Sequence, residues 1–384
     1  MWSNLVYDSV CRLMKIHEEP IFIVIVTCIV IPSKHCGARP IACIQRPCVM
    51  NPIIAFTMLL FSAAALGQGT LLVANKNEST LSVLSLAGKV EVAKIEVGKG
   101  PHEVAVSPDG NIIAVANYGN KSIVANSLTI IDLSRKKKIK EISLAEFTRP
   151  HGIEFFSQDG VLVTSESTKT LIKVNVVTDE IALVARTDQF VSHMVAYSPR
   201  DHLAYVANVV SGTVSMIDVK ESKLLRQLPF RKGIEGISVS PDGEEVWVAN
   251  REDSTVTAMS TKSLEILAIM PAHQVAYRIK HLKNGRYVAV SNGMSGSLSI
   301  YDAKKKKLIK DVDLKDSTRK NTAEEPNMPV PVGIATSHDS RYVFVSMAGY
   351  DKVAIINTKN WNVEETIVTG DGPDGIYYSP IDID

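Results

Sequence analysis

GPHEVAVSPDGNIIAVAN, running from Gly100 to Asn117, decides the fold because it returns along the chain. It recurs as RPHGIEFFSQDGVLVTSES (Arg149 to Ser167), VSHMVAYSPRDHLAYVAN (Val191 to Asn208) and GIEGISVSPDGEEVWVAN (Gly233 to Asn250). More worn copies are VAYRIKHLKNGRYVAVSN (Val275 to Asn292) and PVGIATSHDSRYVFVSM (Pro331 to Met347). A seventh, GPDGIYYSP (Gly372 to Pro380), lacks its second half, which stands at the other end of the repeat region as TLLVAN (Thr70 to Asn75). A fixed period of about 40 residues means a solenoid or a propeller. Each unit alternates β-branched or aromatic residues with polar ones and carries turn residues between short runs, so it reads as four strands A to D rather than paired helices. In the third unit these are expected at 193–198, 203–208, 213–218 and 223–228. Pro108, Pro199 and Pro241 suit the A–B turn, and Gly110 and Gly243 supply the positive φ that ends it. Seven such units predict an all-β, seven-bladed β-propeller of four-stranded blades. The last blade is shared between the C-terminal strand A and the N-terminal strands B, C and D, which closes the ring.

These residues resemble the YVTN-repeat (YncE-like) β-propeller family, whose repeat pairs a Pro-x-Gly-Ile-Ala-Val-Ser-Pro-Asp-Gly strand and turn with Tyr-Val-Ala/Thr-Asn and Thr-Val-Ser-Val-Ile-Asp strands. The likeness covers Thr70 to the C-terminus. It implies the propeller and leaves function open, since members include envelope, surface-layer and binding proteins. The Pro-His before strand A also resembles the propeller lactonases, without further signature.

Composition narrows the classes. The 384 residues are 45% hydrophobic and 22% charged, with Lys+Arg 42 against Asp+Glu 41, which excludes a disordered polyelectrolyte. The five cysteines all lie at or before Cys48. The propeller therefore has no thiolate for a disulfide, an iron–sulfur cluster, a cysteine zinc site or a cysteine nucleophile. From Met50 the run MNPIIAFTMLLFSAAALGQG reads as a signal peptide over 50–68, too short to span a membrane. Residues 1–49 fit no targeting pattern and are expected to be a non-native extension upstream of a start at Met50; a disordered or membrane-associated extension is the alternative. The propeller is then 69–384, periplasmic or secreted, with no membrane span in the mature protein. Residues 1–68 carry five basic and three acidic side chains, so the remainder is near neutral and nucleic acid is not the expected partner. The runs Arg135 to Lys138 and Lys304 to Lys307 read as solvated hairpin tips.

The topology places D–A and B–C connections on one face of the ring. That face carries the enlarged segments 118–126, 144–150 and 313–331, an expected surface for a protein partner. The residue opening each strand A is, in order, His102, His151, His193, Glu235, Tyr277, Val332 and Asp374. Innermost strands converge on the axis, so His102, His151, His193 and Glu235 form a candidate site for zinc, copper or iron, with Glu103, Tyr277, Arg278 and Asp374 completing a ligand-binding funnel. Glu103, Glu154, Arg278 and Lys280 replace small residues of the other repeats and offer either ligand recognition or a salt-bridge network. Asn75, Asn117, Asn208, Asn250 and Asn292 recur at the ends of strands B and read as structural. No catalytic motif is present. The first expectation is an exported, non-enzymatic binding propeller with no catalytic residue. The alternatives are a lactonase-like hydrolase or lyase using the same funnel with Arg278 steadying an oxyanion, and a protein-interaction scaffold or DNA-binding propeller.

Overall fold

A computed structural model describes residues 68–320, 322 and 327–383. The expected extension at 1–49, and the expected leader except Gln68, lie outside these residues. The described chain forms seven four-stranded antiparallel sheets and no helix. Blades 1 to 6 open on strands A at Pro101–Val106, Pro150–Phe155, Ser192–Ser198, Ile234–Val239, Ala276–His281 and Pro331–Thr336. Blade 7 joins the C-terminal strand Pro373–Ser379 to Thr70–Asn75, Thr80–Ser85 and Val90–Glu96. In blade 3 the strands are Ser192–Ser198, Leu203–Asn208, Thr213–Asp218 and Lys223–Pro229, within a residue of the expected bounds.

Burial follows from position in the blade. Strands B and C bury both faces, as in Thr70–Asn75, because each blade is covered by a neighbour on either side. Strands D alternate outward-facing polar residues with one buried anchor, such as Ile142 or Val312. Apolar clusters fill every gap between blades. Leu128, Ile130, Val161 and Val163 pack between blades 1 and 2, and Trp247 meets Tyr301 edge-on between blades 4 and 5. Each such side chain contributes about 1.5–3 kcal/mol by leaving water.

The strand-B asparagines are structural, as expected. The Asn75 amide donates to Thr80 and Ser82 of strand C, and Asn208 repeats this with Thr213 and Ser215. Gly110 and Gly243 hold φ of 86° and 71° at the ends of their A–B turns. The 118–126 segment is a difference. Strands B and C of blade 1 run on through it as Ile112–Gly119 and Val124–Asp132, pairing Gly119 with Val124, so it is a lengthened hairpin standing above the face.

Candidate functional site

All seven A–B pairings contain the same irregularity. Two residues of strand A face one residue of strand B: His102 and Glu103 lie between the pairs Pro101–Asn117 and Val104–Val115. The equivalent pairs are His151-Gly152, His193-Met194, Glu235-Gly236, Tyr277-Arg278, Val332-Gly333 and Asp374-Gly375. A bulge of this kind interrupts strict alternation and re-aims side chains. Consecutive residues can therefore both serve the axis, a regular strand's limit notwithstanding. Glycine recurs at the second position because neighbouring strands approach closely there. A Cβ on Gly152 would stand 2.5 Å from the His193 carbonyl oxygen, and one on Gly375 2.4 Å from that of His102. The Thr164 hydroxyl locks the same contact, donating to the His193 carbonyl at 2.6 Å.

The three histidines come together. Ring centroids of His102 and His151 are 4.3 Å apart, and those of His151 and His193 3.5 Å. His151 lies in the middle at 1% exposure. Neither of its ring nitrogens has a hydrogen-bond partner. His102 Nδ1 is 3.0 Å from Asp374 Oδ2 without hydrogen-bond alignment, and His193 Nε2 is 3.4 Å from Glu235 Oε1, also without it. Asp374 Oδ1 is likewise unpartnered. Five buried polar atoms in and beside the histidine cluster thus lack a hydrogen-bond partner, where buried polar groups normally find one. Ligand atoms of His102, Glu103 and His151 lie within 4.8 Å of one another, as do those of His151, Glu166 and His193.

Electrostatics sort the imidazoles. Burial pulls His102 down to about 4 despite the Asp374 charge, and it holds His151 well below the ordinary value, aided by the neighbouring imidazoles. Both are neutral donors at neutral pH. Burial opposes protonation of His193 too, but Glu166 and Glu235 outweigh it and hold its pKa above the ordinary value. The His193 Nδ1–H donates to Glu166, whose second oxygen accepts the Tyr118 hydroxyl. For Glu235, burial is overcome by His193, Arg278 and Arg251, which draw its carboxyl down to about 2.

The same bulges also carry an ion-pair plug, with Glu103 and Arg278 at their second position and Glu235 at the first. Arg278 of blade 5 donates to Glu103 of blade 1 through Nη2 at 2.6 Å and Nε at 3.0 Å, and to Glu235 of blade 4 through Nη1 at 3.1 Å. Arg251 adds a 2.7 Å contact to Glu235. Of the two readings open for Glu103 and Arg278, the structure supports the salt-bridge network. Glu154 and Lys280 stand apart from it, nearer the other end of the axis. The Tyr277 ring lies over Gly293, within electrostatic reach of Glu235 and Arg251.

Four residues that ring the mouth escape a reading of strand A alone. Lys76 contacts Asp374 at 3.4 Å, Tyr118 packs on His102 and His151, Glu166 holds His193, and Arg251 holds Glu235. Each directly follows the last residue of a strand B core, after Asn75, Asn117, Ser165 and Asn250. Lining up that position across the repeats would have shown a second polar ring.

The family model of the cytochrome D1 heme domain matches residues 157–376. Among solved structures, a functionally unknown protein from Desulfotomaculum acetoxidans DSM 771 superposes with a TM-score of 0.66 at 13% identity, covering 81% of this chain and 99% of that one. The dihydro-heme d1 dehydrogenase NirN in complex with DHE superposes with a TM-score of 0.53 at 17% identity, covering 80% of this chain and 65% of that one. At these identities the likenesses show the propeller fold alone. No curated protein matches the chain.

Proposed function

The chain belongs to the cytochrome D1 heme domain family, and from that premise we propose that its histidine funnel binds a metal-centred cofactor of the heme class. The observation that carries the reading is the cluster of unpartnered buried atoms on His102, His151, His193 and Asp374. Imidazole is a fitting donor for heme iron. The cations Lys76, Arg149 and Arg251 about the mouth suit the carboxylates such a cofactor bears. NirN, a structural neighbour, is in complex with DHE, which favours the same class. When bound, the cofactor would supply a redox-active iron.

What the chain itself contributes follows from its own atoms. His102 and His151 are neutral and available as nitrogen donors without losing a proton. His193 stores a proton on Nδ1, held by Glu166 and Tyr118, at the edge of the site. The Arg278 plug beneath closes the axis and fixes Glu235 beside His193. Arg278 is committed to two carboxylates, so it is not the free oxyanion partner that a lactonase-like reading requires. We infer a binding role, with export through the leader at 50–68 as part of the same proposal. N-terminal sequencing of the natural product tests the export; a peptide from residues 1–49 contradicts it.

A second reading, a bare transition ion, is favoured by the two His/carboxylate groups with ligand atoms within 4.8 Å. Protein purified without a histidine tag and titrated with hemin distinguishes them. One equivalent should bind with a shifted Soret band, and His102→Ala and His193→Ala should weaken binding at least about tenfold. Unsaturable hemin uptake that is indifferent to these changes overturns the heme reading. Stoichiometric zinc or copper binding sensitive to the same changes would then put the bare ion in its place.

A further inference from the structure

The opposite end of the axis holds a cavity of about 430 Å³. Its walls are mainly apolar and aromatic, with Phe155, Ile334, Ile376, Tyr377 and Tyr378 among them. Its polar side chains come from Lys280, Lys283 and His338, besides small hydroxyls. The volume falls in the range of small-molecule sites, and so does an apolar wall carrying a few charged groups.

The repeat shows that these residues are departures. Lys280 occupies the strand-A position filled by Ala105, Ala196, Ser238 and Ala335 in four other blades. The two remaining exceptions at that position, Glu154 and Tyr377, are its electrostatic and aromatic neighbours. Lys280 Nζ stands 5.7 Å from the Tyr377 ring centre, and Lys280 and Lys283 both act on the Glu154 carboxyl. In the A–B turn, Lys283 and His338 take the place of Pro108, Pro199, Pro241 and Pro380. Proline suits that turn on backbone grounds, so neither replacement is demanded by the fold. Lys280, Lys283 and His338 come from adjacent blades and all line one cavity.

Charge defines what fits. Among the described residues neither lysine makes an ion pair. Both act on the Glu154 carboxyl, whose side chain accepts the Tyr197 N–H at 3.0 Å. Two ammonium groups against one carboxyl leave positive charge in an otherwise apolar pocket.

We propose that this cavity is a second binding site, separate from the histidine funnel, for a small organic carboxylate with an apolar or aromatic body. The carboxylate sits between Lys280 and Lys283, and the body lies against Phe155 and Tyr377. The buried Arg278 plug separates the two sites, so the lower ligand makes no contact with the upper one.

The test uses the full chain with its histidines intact. Saturation-transfer NMR with phenylacetate should show binding at about 1 mM or tighter, the range open to a ligand of this size. Phenylacetamide, the neutral isostere, should bind at least about tenfold more weakly. Lys280→Ala with Lys283→Ala should abolish that preference while hemin uptake stays unchanged, which separates failure here from failure of the funnel. Equal binding of acid and amide, or an acid preference that survives the double substitution, overturns the proposal. Since both lysines reach solvent, the double variant should fold, and an unchanged melting temperature checks this.

Discussion

The histidine cluster and the Arg278 plug are both built from the strand-A bulges and are similarly enclosed, yet they differ in how their polar atoms are satisfied. His151 is 1% exposed and Arg278 5%. Arg278 uses three nitrogens on two carboxylates, whereas His151 uses neither of its own. A fully paired buried network holds a structure in one arrangement. An unpaired one costs stability unless something else completes it. The plug is therefore read as architecture and the histidines as a site shaped for a ligand.

The largest effect should come from breaking the paired half. Arg278→Ala leaves Glu103 and Glu235 buried without their shared cation and should destabilise the protein by about 3–5 kcal/mol in denaturant unfolding. A loss under about 1 kcal/mol would mean the plug is solvated and the contrast with the histidines false.

Acid acts on the unpaired half. His102, held near 4, and His151, held well below the ordinary value, bind protons more weakly folded than unfolded, and buried His281, at about 3, does the same. The unfolded chain takes up more protons below its value near 6.5, so stability should fall as pH drops from there toward 4. His102 alone should account for about 2 kcal/mol between pH 7 and pH 5. His193 has the opposite sign. Its contribution is complete below about 6.5 and is lost as pH rises through its raised folded value, so it does not cancel the acid loss. Unfolding curves at the two pH values check this, and a flat profile would place the imidazoles in water.

A third substitution sharpens the contrast. His151→Leu keeps much of the volume and removes two unsatisfied nitrogens, so the ligand-free protein should gain about 1 kcal/mol while hemin binding weakens. Stability and binding moving down together would show that His151 is part of the framework. The smallest effect is expected from Tyr118→Phe, which deletes the hydroxyl bonded to Glu166 at the half-open rim and should cost about 1 kcal/mol or less.

The repeat made the fold legible down to the shared seventh blade, because every unit states its strands and turns in the same residues. It also made the histidines legible, since His102, His151 and His193 are not what a turn or a blade interface requires. Two things were not. The bulge that sets His102 beside Glu103, and Tyr277 beside Arg278, arises from the pairing of two strands and leaves no single-residue mark. Lys76, Glu166 and Arg251 each look like ordinary residues entering a turn, and only the closing of the ring brings them over the funnel. The sequence reading of the funnel as a ligand site with a candidate for a transition metal followed from ligand types and from the convergence of the innermost strands on the axis. The heme class enters through the family match.

The central claim is that the imidazole nitrogens without hydrogen-bond partners are ligands for a metal centre. Pulsed electron paramagnetic resonance on ferric-heme-loaded protein, expressed with nitrogen-15 in its histidines alone, tests it most directly. The account predicts strong coupling of the iron to histidine nitrogen, lost when His102, His151 and His193 are replaced together. An iron signal with no histidine coupling, or one unchanged in the triple variant, would contradict it.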